Sequence, residues 1–457
     1  MNILLDAFYD LNYGDDIFIE TVTGLFPGCK FYSFLEHYPE KVIDWANKIP
    51  NLYLLPECDM FLEKNMFDAY MCVGGDVFPD NGDFKKRKKY VQAVKQVHGT
   101  VIFWGFSLFH SYSEQTRKDI AEMMGKADII APRDERSAQL LRQLLPEKEI
   151  CPIADLAFLS QWTMAKKSAR LGISVRRPNY ATDEDMRRYT THLQEAINTY
   201  LAGNSAREVV LLSLSTGNTS DAPVAEEILE GVEEPARVRH FVYTGNIAAT
   251  KAEIAGCELM ICTRLHAMIS CIAMGVPFIP IVYEVKMEHI LQDIGYRKDA
   301  IHFADTRALT AQMEELLEES AEPLWTPEGE QEYISRTAAM KDKVQSLLGS
   351  HRQAITKTDL TGPVCKEIEQ VKASFGGALQ QRETDVATLE TALTQRNTDV
   401  STLEKALGES NQSIQTLSTV IAQDNEKIAQ LEAKLQAIEK TLPYKAYRAV
   451  KSVFSHR

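Results

Sequence analysis

The 457-residue chain has no long apolar run, no paired-cysteine motif and no surplus of positive charge. Each shortage removes a class of protein. No stretch approaches the roughly 20 apolar residues that a membrane-spanning helix needs, so no transmembrane segment is expected. The eight cysteines are scattered without a C-x-x-C pair. Several (Cys72, Cys151, Cys262) fall in apolar, strand-like runs, the pattern of buried thiols in a reducing cytoplasm. The ten histidines show neither H-x-H nor H-E-x-x-H spacing, so no metal site is expected. A formal net charge of -14 argues against nucleic acid as a partner, because a phosphate-binding footprint is basic. The opening residues carry no basic stretch and turn acidic by Asp6. They read as a first strand and not as a secretory signal, which points to a cytoplasmic protein.

What remains is 45% hydrophobic and 25% charged, the balance of a soluble folded chain too long for one core. Its first third alternates short apolar runs (Ile3 to Ala7, Lys30 to Phe34, Ala69 to Val73, Val101 to Trp104, Asp128 to Ala131) with helical stretches such as Lys85 to His98 and Glu114 to Gly125. A second series follows, at Leu171 to Val175, Val209 to Leu214, Val238 to Tyr243, Glu258 to Cys262 and Phe278 to Val282, with a long helical stretch from Asp183 to Ala202. Alternation of this kind predicts an α/β protein with two Rossmann-like, parallel-sheet domains. We place them at 1–165 and 166–325, followed by a helical connector at 326–368. A cleft between them is where ligands of such folds sit.

The last quarter is a different material. From Leu379 an apolar residue recurs every seventh position to Leu442, and a second series lies three residues on at Leu389, Leu403, Leu417, Leu431 and Ile438. This is the a/d seam of a coiled coil over 369–442, roughly 95 Å long at the helical rise. Arg382, Arg396, Ser410 and Asp424 occupy alternate d positions. The seam predicts a homo-oligomer; β-branched residues at many a positions with Leu at d lean towards a parallel dimer. The tail, 443–457, carries Lys445, Arg448, Lys451 and Arg457 without an acidic side chain. On a helix Tyr447, Val450 and Phe454 share one face, the make-up of a peripheral contact with the inner, anionic membrane surface or of a frayed helix end.

Ile261-Cys-Thr-Arg-Leu-His-Ala267 is the most telling segment, because it puts an arginine and a histidine where a strand hands over to a helix. Backbone N–H groups at such a turn favour an anion. Arg264 either grips a phosphate or carboxylate through its planar fork or caps a neighbouring carbonyl. His266 either moves a proton or packs at the helix start. Gly14, Gly74 and Gly75 suit tight turns that let a ligand approach backbone. Asp15 and Asp76 read as helix caps or as ligands of a hydroxyl-bearing acceptor. Arg133 and Asp134 read as a cap or interface brace, Asp221 as the N-cap of a helix starting near Ala222, and Arg177 as pointing away from its neighbour Arg176.

In order, the chain carries Asn12-Tyr-Gly-Asp-Asp16, Val73-Gly-Gly-Asp-Val-Phe78, Trp104-Gly-Phe-Ser107, Pro132-Arg-Asp-Glu-Arg-Ser137 and Asp155-Leu-Ala-Phe158. Gly172-Ile-Ser-Val-Arg176, Ser213 to Asp221, Thr263-Arg-Leu-His266 and Val282-Tyr-Glu-Val-Lys286 follow. Across roughly residues 1–300 this succession resembles the polysaccharide pyruvyl transferases, although Asp76 stands where a third glycine is often seen. The resemblance implies a glycosyltransferase-B-like pair of domains, with the acceptor on the first and the donor on the second. It implies phosphoenolpyruvate as donor substrate with no cofactor, and transfer of pyruvate as a ketal onto two hydroxyls of a sugar, which the tail would suit to a lipid-linked precursor. Arg176, Arg264 and Lys286 become the donor's cations, with Asn12, Gly14, Asp15, Gly74 and Gly75 also against substrate, and His266 with Asp76 the catalytic groups. Two other readings stay open: a nucleotide-sugar glycosyltransferase using the same cleft, and a non-catalytic scaffold whose working part is the coiled coil.

Overall fold

The computed structural model describes residues 1–35, 40–56, 59–75, 78–109, 111–217, 220–318, 324–351 and 361–440, with 446, 448 and 451. Asp76 and most of the basic tail therefore lie outside the described residues. The chain divides into a globular unit, Met1–Thr356, and a helical unit, Lys357–Arg457.

Among the described residues of the globular unit, twelve strands build two sheets. The first holds β1 (Asn2–Asp6), β2 (Lys30–Leu35), β3 (Leu52–Pro56), β4 (Ala69–Val73), β5 (Thr100–Phe106) and β6 (Ile129–Pro132). The second holds β7 (Arg170–Ser174), β8 (Glu208–Ser213), β9 (Val238–Val242), β10 (Leu259–Cys262), β11 (Phe278–Val282) and β12 (Ile301–His302). Their orders, β3-β2-β1-β4-β5-β6 and β12-β11-β10-β7-β8-β9, are the same doubly wound pattern used twice, and the pairings are parallel. Such sheets bury both faces, which is why β4, β5, β10 and β11 read as unbroken apolar runs with every residue buried. In each lobe the order reverses beside the first strand, next to β4 or β10, and that switch point opens a crevice at the carboxyl ends.

Two strands escape the sequence pattern. β3 is an edge strand that ends in Pro56 and leaves Tyr53 exposed, so its run lacks both alternation and full burial. β12 is two residues long, too short to leave a signature.

The lobes are fused. Leu11, held at φ 46, turns the chain so that Tyr13 N–H donates to the Leu214 carbonyl (2.9 Å) and Thr216 N–H to the Leu11 carbonyl (3.1 Å). Tyr243 donates to the buried Asp16 at 2.7 Å, and the Tyr13 and Ser270 hydroxyls pair at 2.9 Å. One hydrophobic cluster runs through both lobes and takes in Tyr333, Met340, Val344 and Leu348 from the helix Pro327–His351. That stretch of the expected connector is thus part of the globular core. The helix Thr361–Glu439 carries the heptad stripe.

Candidate active site

The crevice between the lobes holds a cavity of about 230 Å³, lined by Asn12, Gly14, Asp15 and Gly75 from the first lobe and by Arg176, Arg264, His266 and Lys286 from the second. Phe8, Arg133, Leu214, Tyr283 and Glu284 complete much of its wall. The first-lobe residues come from the loop after β1, where Asn12 accepts from Gly14 N–H (3.0 Å) and so starts the helix Tyr13–Leu25, and from the turn after β4. Gly74 sits in that turn at φ 110, where only glycine is unstrained. It is a turn residue and does not line the cavity. On the second lobe, β10 ends at Cys262, Arg264 takes the N-cap position and the helix runs Leu265–Met274. The sequence Thr-Arg-Leu-His thus puts the arginine and the histidine within one turn of the helix start, and no side chain caps that end.

His266 belongs to both lobes. A Cβ at residue 14 would stand 2.0 Å from its Nδ1, so the ring occupies the space that glycine leaves open. Phe18 meets it edge-on, centroids 5.0 Å apart. On the other side its Nε2 lies 3.7 Å from Asp155, at ion-pair but not hydrogen-bond distance, and this buried nitrogen has no hydrogen-bond partner. Asp155 in turn accepts from Arg133 (3.0 Å) and caps the 3-10 turn Leu156–Leu159 through Ala157 N–H. Arg133 continues the chain to Ser107 at 2.8 Å, and Ser107 to Asp134 at 2.7 Å. Asp134 caps the helix Glu135–Leu144, as its sequence context suggests. Arg133 was legible only as a cap or brace; the structure makes it a wall of the cavity and the tether of Asp155.

Burial pushes the Asp155 carboxyl up, but the neighbouring His266 ring and the Arg133 guanidinium outweigh it and hold it down to about 2. An acid whose folded value is depressed stabilises the fold above its unfolded value, and that contribution is lost as pH falls from about 4 through about 2. We expect it to be worth roughly 2 kcal/mol. Denaturant unfolding of the wild type should show that loss between pH 5 and 2. Asp155→Asn should lack that part of the decline, and an identical acid limb in the variant would remove this account.

The cations differ in their commitments. Arg264 is buried and its Nε donates to Asp221 at 2.9 Å, with Nη2 also on that carboxylate. This corrects the picture of a free fork: two of its three nitrogens are engaged, and only Nη1 remains for a ligand among the described contacts. Asp221 is corrected too. It stands at the N-cap position of Ala222–Glu230 without capping it, and accepts instead from Leu214 and Ser215 N–H (3.1 and 3.0 Å) and from Arg264. Burial raises its carboxyl even though Arg264 opposes the shift. Lys286 pairs with Glu284 at 2.5 Å. Arg176 lies over the Tyr283 ring, 4.8 Å from its centroid, and among the described residues it has no carboxylate at ion-pair distance. Arg177 points elsewhere, to Asp183. Among the described residues no group of acidic, cysteine and histidine side chains is placed to hold a metal ion, and no helix is long and apolar enough to cross a membrane.

The family model for polysaccharide pyruvyl transferase matches residues 12–285, the span that contains every cavity residue named above except Phe8 and Lys286. Curated proteins give no match. Solved structures show the fold. S. aureus MnaA with UDP aligns over 76% of this chain and 97% of its own, with 10% identity and a TM-score of 0.51. UDP-GlcNAc 2-epimerase from Methanocaldococcus jannaschii covers 75% and 99%, at 11% and 0.50. Anabaena Alr3699/HepE with UDP covers 76% and 99%, at 9% and 0.50. At these identities the likeness extends to the two-lobed architecture alone.

Proposed function

The chain belongs to the polysaccharide pyruvyl transferase family, and from that premise we propose that it moves pyruvate from phosphoenolpyruvate onto two hydroxyls of one sugar in a surface-polysaccharide precursor, forming a ketal and releasing phosphate. The observation that carries the reading is the concentration of Arg133, Arg176, Arg264 and Lys286 around His266 in one cavity of a chain with net charge -14. A donor with a phosphate and a carboxylate needs such a notch, and guanidinium groups match both anions.

Arg176 supplies the uncommitted charge, its plane fixed by Tyr283. Arg264 offers Nη1 while Asp221 holds the rest of the fork still, so the cation is pre-aimed. A sugar oxygen attacks C2 of the enol as C3 gains a proton, and His266 is the group placed to pass that proton from hydroxyl to carbon. The C2–O bond to phosphate then breaks, phosphate carrying off the electron pair. The second hydroxyl adds to the same carbon and gives up its proton, closing the ring. Asp155 is a positioning residue here: its charge lies behind the imidazole, away from the donor.

Incubation with phosphoenolpyruvate and a panel of sugars should release phosphate only with a matching acceptor, and phosphoenolpyruvate alone should raise the melting temperature. Stabilisation by a nucleoside diphosphate sugar and none by phosphoenolpyruvate would replace this reading with that of a glycosyltransferase.

A further inference from the structure

On the helix Thr361–Glu439 the apolar stripe is exposed over the described residues Leu393 to Ile438. From Leu393 to Ile438 each a position and each apolar d position is at least 51% exposed. The repeat spacing is one that only another helix of matching repeat can satisfy, and this chain carries that repeat. We propose that a second copy of this chain covers the stripe, running antiparallel in the register of full overlap.

The charged d positions decide the direction. In a parallel pair, d faces d, so Arg396 would meet Arg396 and Asp424 would meet Asp424 inside the seam. Flanking charges do not compensate: Asp399 would oppose Glu404 while Lys427 would attract Glu432, and the two cancel. Antiparallel helices pair a with d. In the register that overlaps the stripe from Leu379 to Ile438, Arg396 faces the partner's Ile421 and Leu393 faces the partner's Asp424. Val400 meets the partner's Leu417, and Leu407 its Ser410. No layer then holds two polar side chains. The layers of Arg396 and of the partner's Asp424 are adjacent, so the long guanidinium stem can lie along the seam with its head at that carboxylate. By symmetry the contact occurs twice. The polar d positions therefore select direction, a known use of polar residues in a coiled-coil seam. This reverses the parallel preference that the a and d residue types suggest by themselves.

Sedimentation equilibrium of the full-length protein is the test, with Arg396→Glu, Asp424→Lys and the double variant. Both sites lie on the exposed helix, so the globular unit folds regardless; circular dichroism checks this. Antiparallel pairing makes each single variant oppose like charges twice, which should weaken the dimer by roughly tenfold or more, and the double variant should recover. A parallel pair exchanges one like-charge layer for another, so single variants that dimerise as well as the wild type would overturn the proposal. A wild type that remains monomeric at roughly tens of micromolar would overturn it as well.

Discussion

His266→Ala should lower phosphate release from phosphoenolpyruvate by about a thousandfold in the presence of acceptor, while the protein melts within a few degrees of the wild type. Positioned proton transfer contributes roughly 10²–10⁴ to a rate, and the proposed reaction assigns that transfer to the imidazole. The cost in stability is modest, because the buried Nε2 makes no hydrogen bond that its loss would orphan. What disappears is the edge contact with Phe18, worth about 1 kcal/mol, and the share of the Asp155 stabilisation that the ring supplies, while Arg133 keeps the rest. Gly14→Ala should mimic the kinetic loss from the other lobe, since the new methyl claims the position of the ring. Steady-state phosphate assays and thermal melts of both variants provide the check. Turnover that survives in both would mean that the proton is handled elsewhere, and the site assignment would fall with it.

Asp221→Ala should be the most destabilising single change at the site, costing roughly 3–5 kcal/mol in denaturant unfolding. It strands a guanidinium that is 6% exposed and removes the acceptor of two backbone N–H groups. Arg264→Ala alone leaves a buried carboxylate whose value burial already raises. That acid can take up a proton and avoid a buried charge, so this variant should fold better than Asp221→Ala. The kinetic outcome runs the other way: Arg264→Ala should raise the KM for phosphoenolpyruvate by tenfold or more (about one ion contact). A double-mutant cycle measures the coupling. If the double variant is as unstable as the sum of the singles, the pair does not act as the unit described here.

Much of this molecule was legible from residue patterns because the forces involved are local. Unbroken apolar runs bounded by Gly, Pro and Asp announced ten of the twelve strands, since a parallel strand must bury both faces. The helix Asp183–Ala202, with its Thr182–Asp185 capping box, depends on residues close together in the chain, whereas the cap before Tyr13 is Asn12 and not Asp15, which reads as a cap candidate. Arg264 and His266 stood out because a strand-to-helix turn gathers charge-binding backbone wherever it occurs.

The partners of those side chains were not legible. Arg264 and Asp221 are 43 residues apart, and Asp221 looked like a cap because capping is what an aspartate before Ala-Pro usually does. Only the assembly of the sheet, with β7 between β8 and β10, brought it against the guanidinium. Asp155 lies 111 positions before His266, and Gly14 lies in the other lobe. The sequence determined the elements, the repeat and the kinds of charge available, all of which follow from short-range sterics and from hydrophobic periodicity. The tertiary structure alone decided which cations are paired with carboxylates, that Arg176 has no such partner among the described residues, and why residue 14 must have no side chain. Those are matters of distance between segments far apart in the chain, and no local pattern encodes them.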